Sequence, residues 1–321
     1  MTEKMYYLYG PVSSRRLGRS LGVDIMPHKI CTLDCIYCQL GRSTQKSIER
    51  REYVPVAAVL AAIKQKVKEG LDADFITIGG SGEPTLNSGL GRLIGGIKGL
   101  SNIPVALLTN GTLLFRKDVR DDCAKADVLL PSLDAGDEET FQRMNRPHQD
   151  ISIEKLVAGL CAFRAGFAGK IWLEVFLVEG LNTDDEQIGR IARLIERIRP
   201  DKIHLNTAVR PTAEAHVARP GSNKLRHIAA RLGPKCEVIA DFSPKQHGAR
   251  FVGGAADVLS MLKRRPCSLE QICSGLRIRQ DEALQYINIL RKRGAVESTK
   301  KDGKTFFKAS SKRGRPGGGG R

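Results

Sequence analysis

The sequence predicts an α/β protein: a partial (β/α)6 barrel over residues 1–245, followed by a small winged helix-turn-helix domain over residues 253–309. Short β-branched runs alternate with segments of helical periodicity from about residue 20 to 240. This alternation is typical of a parallel sheet with helical crossovers. After Gly253 the pattern changes to three helical segments and two strand-like runs around Asp302-Gly303, which indicates a terminal hairpin.

Each predicted element rests on its own run of residues. The predicted barrel strands, the last of them the weakest, are Leu21–Ile25, Phe75–Ile78, Val105–Leu108, Val128–Leu130, Ile171–Val178, Ile203–Asn206 and Val238–Ala240. Apolar residues at helical spacing predict helices around Val56, Leu60, Ile63 and Val67 and around Ile188, Ile191, Leu194 and Ile195. The predicted C-terminal elements are the helices Val258–Leu262, Leu269–Leu276 and Ala283–Leu290 and the strands Gly294–Ser298 and Lys304–Phe307.

Charge is unevenly distributed along the 321 residues, whose formal net charge is +17. Residues 251–321 carry 16 Lys and Arg against 6 Asp and Glu, which favours a polyanionic partner, most simply nucleic acid. A solubilising tail is the alternative. Residues 310–321 are rich in Lys, Arg and Gly without an apolar anchor, so we expect a disordered basic tail.

Neither a membrane segment nor a secretory signal is indicated. No apolar run approaches the roughly 18 residues of a membrane span. The start of the sequence, Met1-Thr2-Glu3-Lys4, has no apolar signal core. We therefore expect a cytoplasmic protein with reduced thiols and no membrane partner.

Three of the eight cysteines form a tight group, Cys31, Cys35 and Cys38, in a C-x3-C-x2-C spacing. Three thiolates on one loop can ligate three irons of a [4Fe–4S] cube and leave the fourth iron open to another ligand. A zinc site is the alternative, but a closed structural site needs four ligands, and His28 is the nearby candidate to complete it.

Polar and glycine-rich motifs follow the predicted strands at their ends. The cysteine loop follows the first strand, and the next motifs are Gly79–Pro84, Thr109–Gly111, Pro131–Asp134, Asn182 and Asn206-Thr207. In a βα barrel these positions share the C-terminal rim, where catalysis normally takes place. The sequence therefore predicts one site at this rim.

With Tyr37 directly before its last cysteine, the triplet resembles the signature of the radical S-adenosylmethionine (SAM) superfamily. The resemblance implies two cofactors, a [4Fe–4S] cluster and SAM, with SAM chelated by the open iron. It implies reductive cleavage of SAM to a 5′-deoxyadenosyl radical that abstracts hydrogen from a substrate. It also implies a low-potential electron donor of the flavodoxin or ferredoxin type.

The same resemblance implies which residues hold SAM. Gly80 and Gly82 would let the backbone approach the methionine ammonium, and Glu83 would offer it a carboxylate. Ser132 and Asp134 resemble the residues that contact the ribose hydroxyls. An ordinary glycine-rich turn and, for Asp134, a helix N-cap are the alternatives.

Asn182 and the pair Thr109-Asn110 are weaker candidates for SAM binding. Asn110 and Asn182 follow the third and fifth predicted strands, and for both of them a role in a turn is an equal alternative.

A narrower resemblance begins at Gly10–Asp24, directly before the cysteine loop, and spans about residues 7–215. It is to the small Fe–S oxidoreductases related to the radical SAM half of the wybutosine synthases, which modify tRNA. Those synthases carry additional N-terminal cysteines that this sequence lacks, which argues against wybutosine formation itself. Within this stretch Arg15, Arg16 and Arg19 are candidates to grip a phosphate or carboxylate of the substrate, or to pair with acidic side chains of the protein.

The predicted winged helix has two interpretations, nucleic-acid binding and docking of a peptide or protein. Its second helix, Gln280–Arg293, would be the recognition helix, with exposed residues Gln280, Gln285, Asn288, Arg291 and Lys292 and a basic wing of Lys300, Lys301 and Lys304. Cys267 and Cys273 are expected to pack within this domain.

The leading hypothesis is a radical SAM enzyme acting on a macromolecular substrate, with RNA or tRNA favoured over protein. Activation of a glycyl-radical enzyme is an enzymatic alternative. A transcription regulator that senses its cluster or SAM is a non-enzymatic one, although a sensor would not need the full set of SAM-binding residues.

Overall fold

The computed structural model describes residues 7–240, 254–276 and 278–310. The chain divides into two compact units, Met1–Phe242 and Ser243–Arg321. Apart from Ser310, the predicted disordered tail lies outside the described residues.

The first unit is built on an eight-stranded sheet with the order β1-β2-β5-β6-β7-β8-β9-β10. Strand β1 is antiparallel to β2, and every following pair is parallel. Its strands are β1 Leu8–Ser14, β2 Gly18–Val23, β5 Phe75–Ile78, β6 Val105–Leu108, β7 Val128–Leu130, β8 Lys170–Leu177, β9 Lys202–Thr207 and β10 Cys236–Val238. Two short strands, β3 Ile30–Cys31 and β4 Gln45–Lys46, pair beside it.

Helices connect the parallel strands. They are α1 Val56–Lys68, α2 Leu90–Leu100, α3 Lys117–Cys123, α4 Glu138–Asn145, α5 Ile153–Gly166, α6 Asp185–Ile198 and α7 Ser222–Leu232. Helix α6 packs on the core through one apolar face, where Ile188, Ile191, Ile195 and Ile198 are all buried. Asp184 is the N-cap of this helix, and its side chain accepts a hydrogen bond from the Gln187 N–H.

Side chains alternate between the two faces of the sheet. Along β8, Leu173 and Val175 belong to the large core cluster that also contains the buried faces of the helices, whereas Trp172 packs in a separate small cluster. That small cluster contains Ala106 of β6 and Val128 of β7. One face of the sheet therefore carries the helices and the other forms an inner surface, as in a barrel.

The turn between β1 and β2 reaches this inner surface. Leu17 is 3% exposed and packs with Ala106 and Leu130. Beside it, Arg15 donates to the Ile239 carbonyl, just after β10, at 2.6 Å. The first hairpin thus contacts the last strand region across the curved sheet.

The predicted barrel strands are confirmed to within two or three residues, and those at Phe75, Val105 and Val128 have the predicted bounds. The last strand overlaps its prediction in one residue, because β10 begins at Cys236 and ends at Val238 instead of running from Val238 to Ala240. Strand β1 was not predicted. Its sequence contains Gly10-Pro11, a pair that is typical of turns. In the structure this pair lies within the strand, at an irregularity of the register between Tyr9 and Val12.

The second unit contains three helices and one antiparallel hairpin. The elements are α8 Ala255–Arg264, α9 Leu269–Leu276, α10 Gln280–Lys292, β11 Val296–Lys301 and β12 Lys304–Ala309. Asp302 and Gly303 have φ values of 50° and 75°, as a two-residue hairpin turn requires. Val258, Ile272, Ile287 and Phe306 are among its buried side chains. No helix in the described part of the chain is long and apolar enough to cross a membrane.

Candidate metal and cofactor site

The cysteine loop follows β2 and is held by backbone hydrogen bonds from distant segments. The Ile36 N–H donates to the Met144 carbonyl at 2.9 Å, and the Asp34 N–H donates to the Asn145 carbonyl at 3.0 Å. The Glu214 N–H donates back to the Ile36 carbonyl at 2.9 Å. The end of α4 and the segment after β9 therefore hold the loop in one conformation.

Four charged side chains strengthen this anchoring. Arg42 pairs with Glu214 at 2.5 Å, and Arg146 pairs with the same carboxylate at 2.7 Å. Arg42 also contacts Asp34 within the loop at 3.4 Å. Because the carboxylates are mostly buried, this network holds the loop more firmly than an isolated surface pair would.

Each of the three cysteine sulfurs receives a hydrogen bond from a different side chain. The ammonium of Lys29 lies 3.1 Å from Cys38 Sγ, the Asn110 amide 3.6 Å from Cys31 Sγ, and the Asn145 amide 3.5 Å from Cys35 Sγ. Hydrogen-bond donors that face sulfur stabilise thiolate ligands of a metal.

Burial opposes this effect in the metal-free protein. It raises the pKa of Cys31 to about 12, with the Glu83 carboxylate adding to the shift, and it also raises the pKa of Cys35. Burial alone would lower the pKa of Lys29, but the neighbouring cysteines outweigh it and raise that pKa. Metal binding must therefore displace protons from the thiols of Cys31 and Cys35.

The arrangement differs from a site for a single ion. Among the described residues, no three His, Cys, Asp or Glu side chains converge on one point as ligands of a single ion would. In a [4Fe–4S] cube each thiolate binds its own iron, so the three sulfurs need not converge.

Glu83 follows β5 and is 2% exposed. Its Oε1 accepts hydrogen bonds from the hydroxyls of Thr85 and Thr109, both at 2.6 Å. Its Oε2 accepts from the Asn110 N–H at 2.8 Å. Glu83 therefore joins the ends of β5 and β6, a structural role that the sequence did not predict.

The two glycines of this motif allow the chain to approach itself. A Cβ on Gly82 would lie 2.1 Å from the Ile30 carbonyl oxygen, next to Cys31. A Cβ on Gly80 would lie 2.6 Å from the carboxyl carbon of Asp24. The close approach seen here is to the cysteine loop and to the residue after β2, rather than to a ligand.

Asp134 is 3% exposed and accepts hydrogen bonds from the Tyr37 hydroxyl, the Asn145 amide and the Phe176 N–H. Burial raises its pKa to about 6, against the lowering effect of these donors. The alternative of a helix N-cap is wrong, because Asp137 caps α4 instead. Ser132 is half-buried and bridges to Glu174 of β8, beside the same strand end.

Asn182 has the turn role that the sequence left open. It is fully buried, and its two amide hydrogens go to the carbonyls of Asp134 and Phe176 at 2.7 and 2.8 Å. Its oxygen accepts from the Val178 N–H. Its amide donors are thus engaged in holding the end of β8, which argues against the predicted contact with SAM.

The three candidate arginines do not form one anion site. Arg19 is at the start of β2, the end opposite the cysteine loop, and pairs with Asp72. Arg16 pairs with Glu174, and Arg15 donates to Asn206 Oδ1 at 3.2 Å. Of the two roles that the sequence left open for these arginines, Arg16 and Arg19 have the pairing with acidic side chains of the protein, and binding of a substrate anion stays a prediction.

Comparison with known proteins decides the family. A sequence profile of the radical SAM superfamily matches residues 25–207, more than half of the chain. The chain belongs to this superfamily. Its cofactors are SAM and a [4Fe–4S] cluster.

Relatives of this radical SAM protein extend over most of the chain. A UPF0026 protein of Methanocaldococcus jannaschii is 31% identical over 313 residues, covering 94% of this chain and 96% of the relative. A protein named GTPase Obg from Brachyspira hyodysenteriae is 36% identical over 296 residues, which are 91% of this chain but 43% of that relative. The chain thus spans less than half of that longer protein.

Solved structures share the fold at low sequence identity. TYW1 with a bound lysine-pyruvate adduct is 20% identical with a TM-score of 0.50, over 68% of this chain and 74% of that one. Streptococcus suis SuiB bound to SAM is 16% identical with a TM-score of 0.51, over 69% and 50%. These similarities support the α/β fold with its parallel sheet.

The residues of this radical SAM protein fit the two cofactors. Three thiols sit on one anchored loop, and hydrogen-bond donors face their sulfurs. The carboxamide oxygen of Asn145 is buried and has no hydrogen-bond partner among the described residues. A buried acceptor without a donor is costly, so a donor supplied by a ligand would stabilise this site.

The sequence did not predict the roles of Lys29, Thr109 or Asn145. Lys29 precedes the signature, and Asn145 lies 110 positions after Cys35, so only the folded chain brings them to the sulfurs. The lysine two residues before the first cysteine was the one available signal.

Proposed function

We propose that this protein binds a [4Fe–4S] cluster through Cys31, Cys35 and Cys38 and reductively cleaves SAM. The observation that carries the proposal is the position of these cysteines. They lie on a loop that is anchored at the carboxyl ends of the strands, and each sulfur faces a hydrogen-bond donor. The Glu83 carboxylate and the Asn110 amide lie on the same rim.

When bound, the cluster supplies the electron that splits SAM into methionine and a 5′-deoxyadenosyl radical, which takes hydrogen from a substrate. The chain positions the reactants. Glu83 Oε2 keeps acceptor capacity beyond its bond to Asn110, which suits the methionine ammonium. Ser132, half-buried at the end of β7, is better placed for a ribose hydroxyl than Asp134, which already accepts three hydrogen bonds.

Turnover under anaerobic conditions tests this proposal. The full chain is reconstituted with iron and sulfide, reduced with dithionite and given SAM, and 5′-deoxyadenosine is measured by mass spectrometry. We expect at least slow formation, lost in Cys35→Ala and kept in Cys161→Ala, a half-buried cysteine on α5 outside the loop. Product from Cys35→Ala at the wild-type rate would refute the cluster assignment, and a regulator would form none in any variant.

We propose further that the second unit is a winged helix that brings a nucleic-acid substrate, with RNA or tRNA favoured. What supports this is the surface of α10, where Gln285, Asn288, Arg291 and Lys292 are exposed. On the hairpin, Lys300 and Lys304 are exposed near its turn. Basic side chains next to an exposed polar helix face suit phosphate contacts beside base contacts.

Binding to tRNA tests this second proposal. The full chain is titrated into labelled tRNA at several salt concentrations, and compared with a Lys300, Lys301 and Lys304→Ala variant. A matched control removes the same charge from α1 at Lys64, Lys66 and Lys68. We expect weaker binding and a shallower salt dependence for the hairpin variant alone. The proposal would be contradicted if the affinity for tRNA did not depend on salt concentration, or if the α1 control lost as much affinity as the hairpin variant. Either result would favour a protein substrate such as a glycyl-radical enzyme.

A further inference from the structure

The three side chains that face the cysteine sulfurs come from three separate elements of the fold. Lys29 precedes the loop, Asn110 follows β6, and Asn145 is the last residue of α4. Each reaches a different sulfur, so the donors are distributed one to a cysteine. No local motif produces this pattern, because the donors of Cys31 and Cys35 are 79 and 110 positions away.

Lys29 is held in place by its backbone. Its φ of 61° lies in the left-handed region, which is uncommon for a residue other than glycine. Its N–H donates to the Ser81 carbonyl at 2.6 Å, and its carbonyl accepts from the Thr44 N–H at 3.0 Å. Lys29 is 3% exposed, and its ammonium lies 3.1 Å from Cys38 Sγ. The backbone bonds and the burial therefore hold the ammonium at the Cys38 sulfur.

The two carboxamides have their orientation fixed by neighbours. The oxygen of Asn110 accepts from the Thr112 N–H at 3.0 Å and from its hydroxyl at 2.7 Å, so the NH2 group faces Cys31. The nitrogen of Asn145 lies 2.9 Å from both the Asp134 carboxylate and the Tyr37 hydroxyl and 3.5 Å from Cys35 Sγ. Exchanging nitrogen and oxygen would place two donors against each other at Asn110, its NH2 group and the Thr112 N–H, and two acceptors against each other at Asn145, its oxygen and the Asp134 carboxylate.

We infer that Lys29, Asn110 and Asn145 are positioning residues that donate hydrogen bonds to the three cluster sulfurs and raise the reduction potential of the cluster. The inference rests on the proposed cluster assignment. Reduction adds one negative charge to a cluster that already carries three thiolates. Donors and a buried cation stabilise the reduced state more than the oxidised one, which eases electron entry from a low-potential donor.

Lys29 has the largest expected effect because it adds a full charge to its hydrogen bond. Lys29→Met removes both, Lys29→Gln keeps a neutral donor, and Lys29→Arg keeps charge and donor. The exposed Lys64 on α1 provides a matched control, Lys64→Met, that removes a charge elsewhere. Asn145→Leu removes the amide from Cys35 with little change in shape.

The test is a potentiometric titration of the reconstituted full chain without SAM, followed by EPR of the reduced cluster. For Lys29→Met we expect the one-electron reduction constant to fall about tenfold, a shift of about 59 mV to more negative potential. The reduction potential of Lys29→Gln should lie between those of Lys29→Met and the wild type. The potentials of Lys29→Arg and Lys64→Met should match the wild type. Asn145→Leu should shift in the same direction by a smaller factor.

If Lys29→Met retains its full cluster content and its one-electron reduction constant falls by less than threefold, the inference is overturned. The inference would also be overturned if Lys29→Met kept the wild-type reduction potential in the absence of SAM but bound SAM more weakly. That result would assign Lys29 to SAM binding instead. If the variants lose the cluster, ENDOR on wild-type protein with 15N-labelled lysine decides: nitrogen coupling to the reduced cluster supports the inference, and its absence refutes it. A wild-type chain that binds no cluster would instead refute the proposed function.

Discussion

The ring of Tyr37 lies stacked on the ring of Phe176, with centroids 4.0 Å apart and planes inclined by 13°. Tyr37 is on the cysteine loop and Phe176 near the end of β8, so the stack joins the loop to the sheet. The Tyr37 hydroxyl also donates to the buried carboxylate of Asp134. The aromatic residue before the last cysteine therefore anchors the loop in two ways.

This stack predicts a graded loss of stability. Tyr37→Phe keeps the ring but removes a donor from Asp134, and we expect the free energy of unfolding to fall by about 1–3 kcal/mol. Phe176→Ala removes the partner ring and leaves a cavity, costing about 3–5 kcal/mol. Urea unfolding, followed by fluorescence of the single tryptophan, Trp172, measures both. Tyr53→Phe, whose hydroxyl is bonded at the surface, should change little; equal stability of Tyr37→Phe would contradict the anchoring role.

The glycine beside the cysteine loop predicts a steric effect on cluster binding. In Gly82→Ala the added Cβ would collide with the Ile30 carbonyl, which is backbone and cannot rotate away. We expect this variant to lose most of its bound iron after reconstitution. Gly95→Ala is the control, because open space surrounds Gly95 within α2, and alanine there should stabilise the helix by about 1 kcal/mol. Normal iron content in Gly82→Ala would disprove the close approach.

The ion pair of Arg16 and Glu174 predicts that the two side chains contribute to stability as an energetically coupled pair. Both side chains are more than four-fifths buried, so removing one partner leaves the other charge poorly solvated. We expect Arg16→Met to lower the free energy of unfolding by about 2–4 kcal/mol, and the double variant with Glu174→Met to recover part of it. If the two single losses simply add, the pair is not energetically coupled. Slow SAM cleavage without substrate should persist in both variants.

Asp137 predicts a pH-dependent contribution at the start of α4. Burial would raise its pKa, but bonds from the Thr140 N–H, Gln187 and Arg190 hold it at about 2. A pKa lowered in the folded state stabilises the protein above the unfolded value of 3.8, and this stability is lost as pH falls toward about 2. Asp137→Ala should therefore cost about 1–2 kcal/mol at pH 7.

The difference between Asp137→Ala and wild type should shrink progressively when unfolding is measured from pH 5 down to pH 3. Glu139→Ala, an exposed first-turn residue of the same helix, provides the control. A difference that stays constant or grows in acid would contradict the sign of the pKa shift.

The parallel strands could be predicted because their apolar runs are short and bounded, as at Phe75–Ile78 and Val128–Leu130. The rim followed from them, since motifs after parallel strands share one edge. Strand β1 could not be predicted, because among the described residues it pairs in the sheet with β2 alone and its sequence contains Gly10-Pro11.

Side-chain partners were harder to predict than positions. Glu83 and Asp134 lie at the predicted rim, but sequence spacing could not show that Thr109 and Tyr37 would occupy their oxygens. Arg19 was grouped with Arg15 by proximity in sequence, yet their side chains pair with Asp72 and Asn206 in different parts of the unit. Such contacts depend on the register of distant segments, which no local pattern encodes.

The most direct measurement is the metal content and EPR spectrum of the anaerobically reconstituted chain, before and after SAM is added. The proposed assignment predicts four irons and four sulfides for each chain and a reduced-cluster signal that changes when SAM binds the open iron. Zinc in place of iron, or a cluster signal that does not respond to SAM, would contradict it.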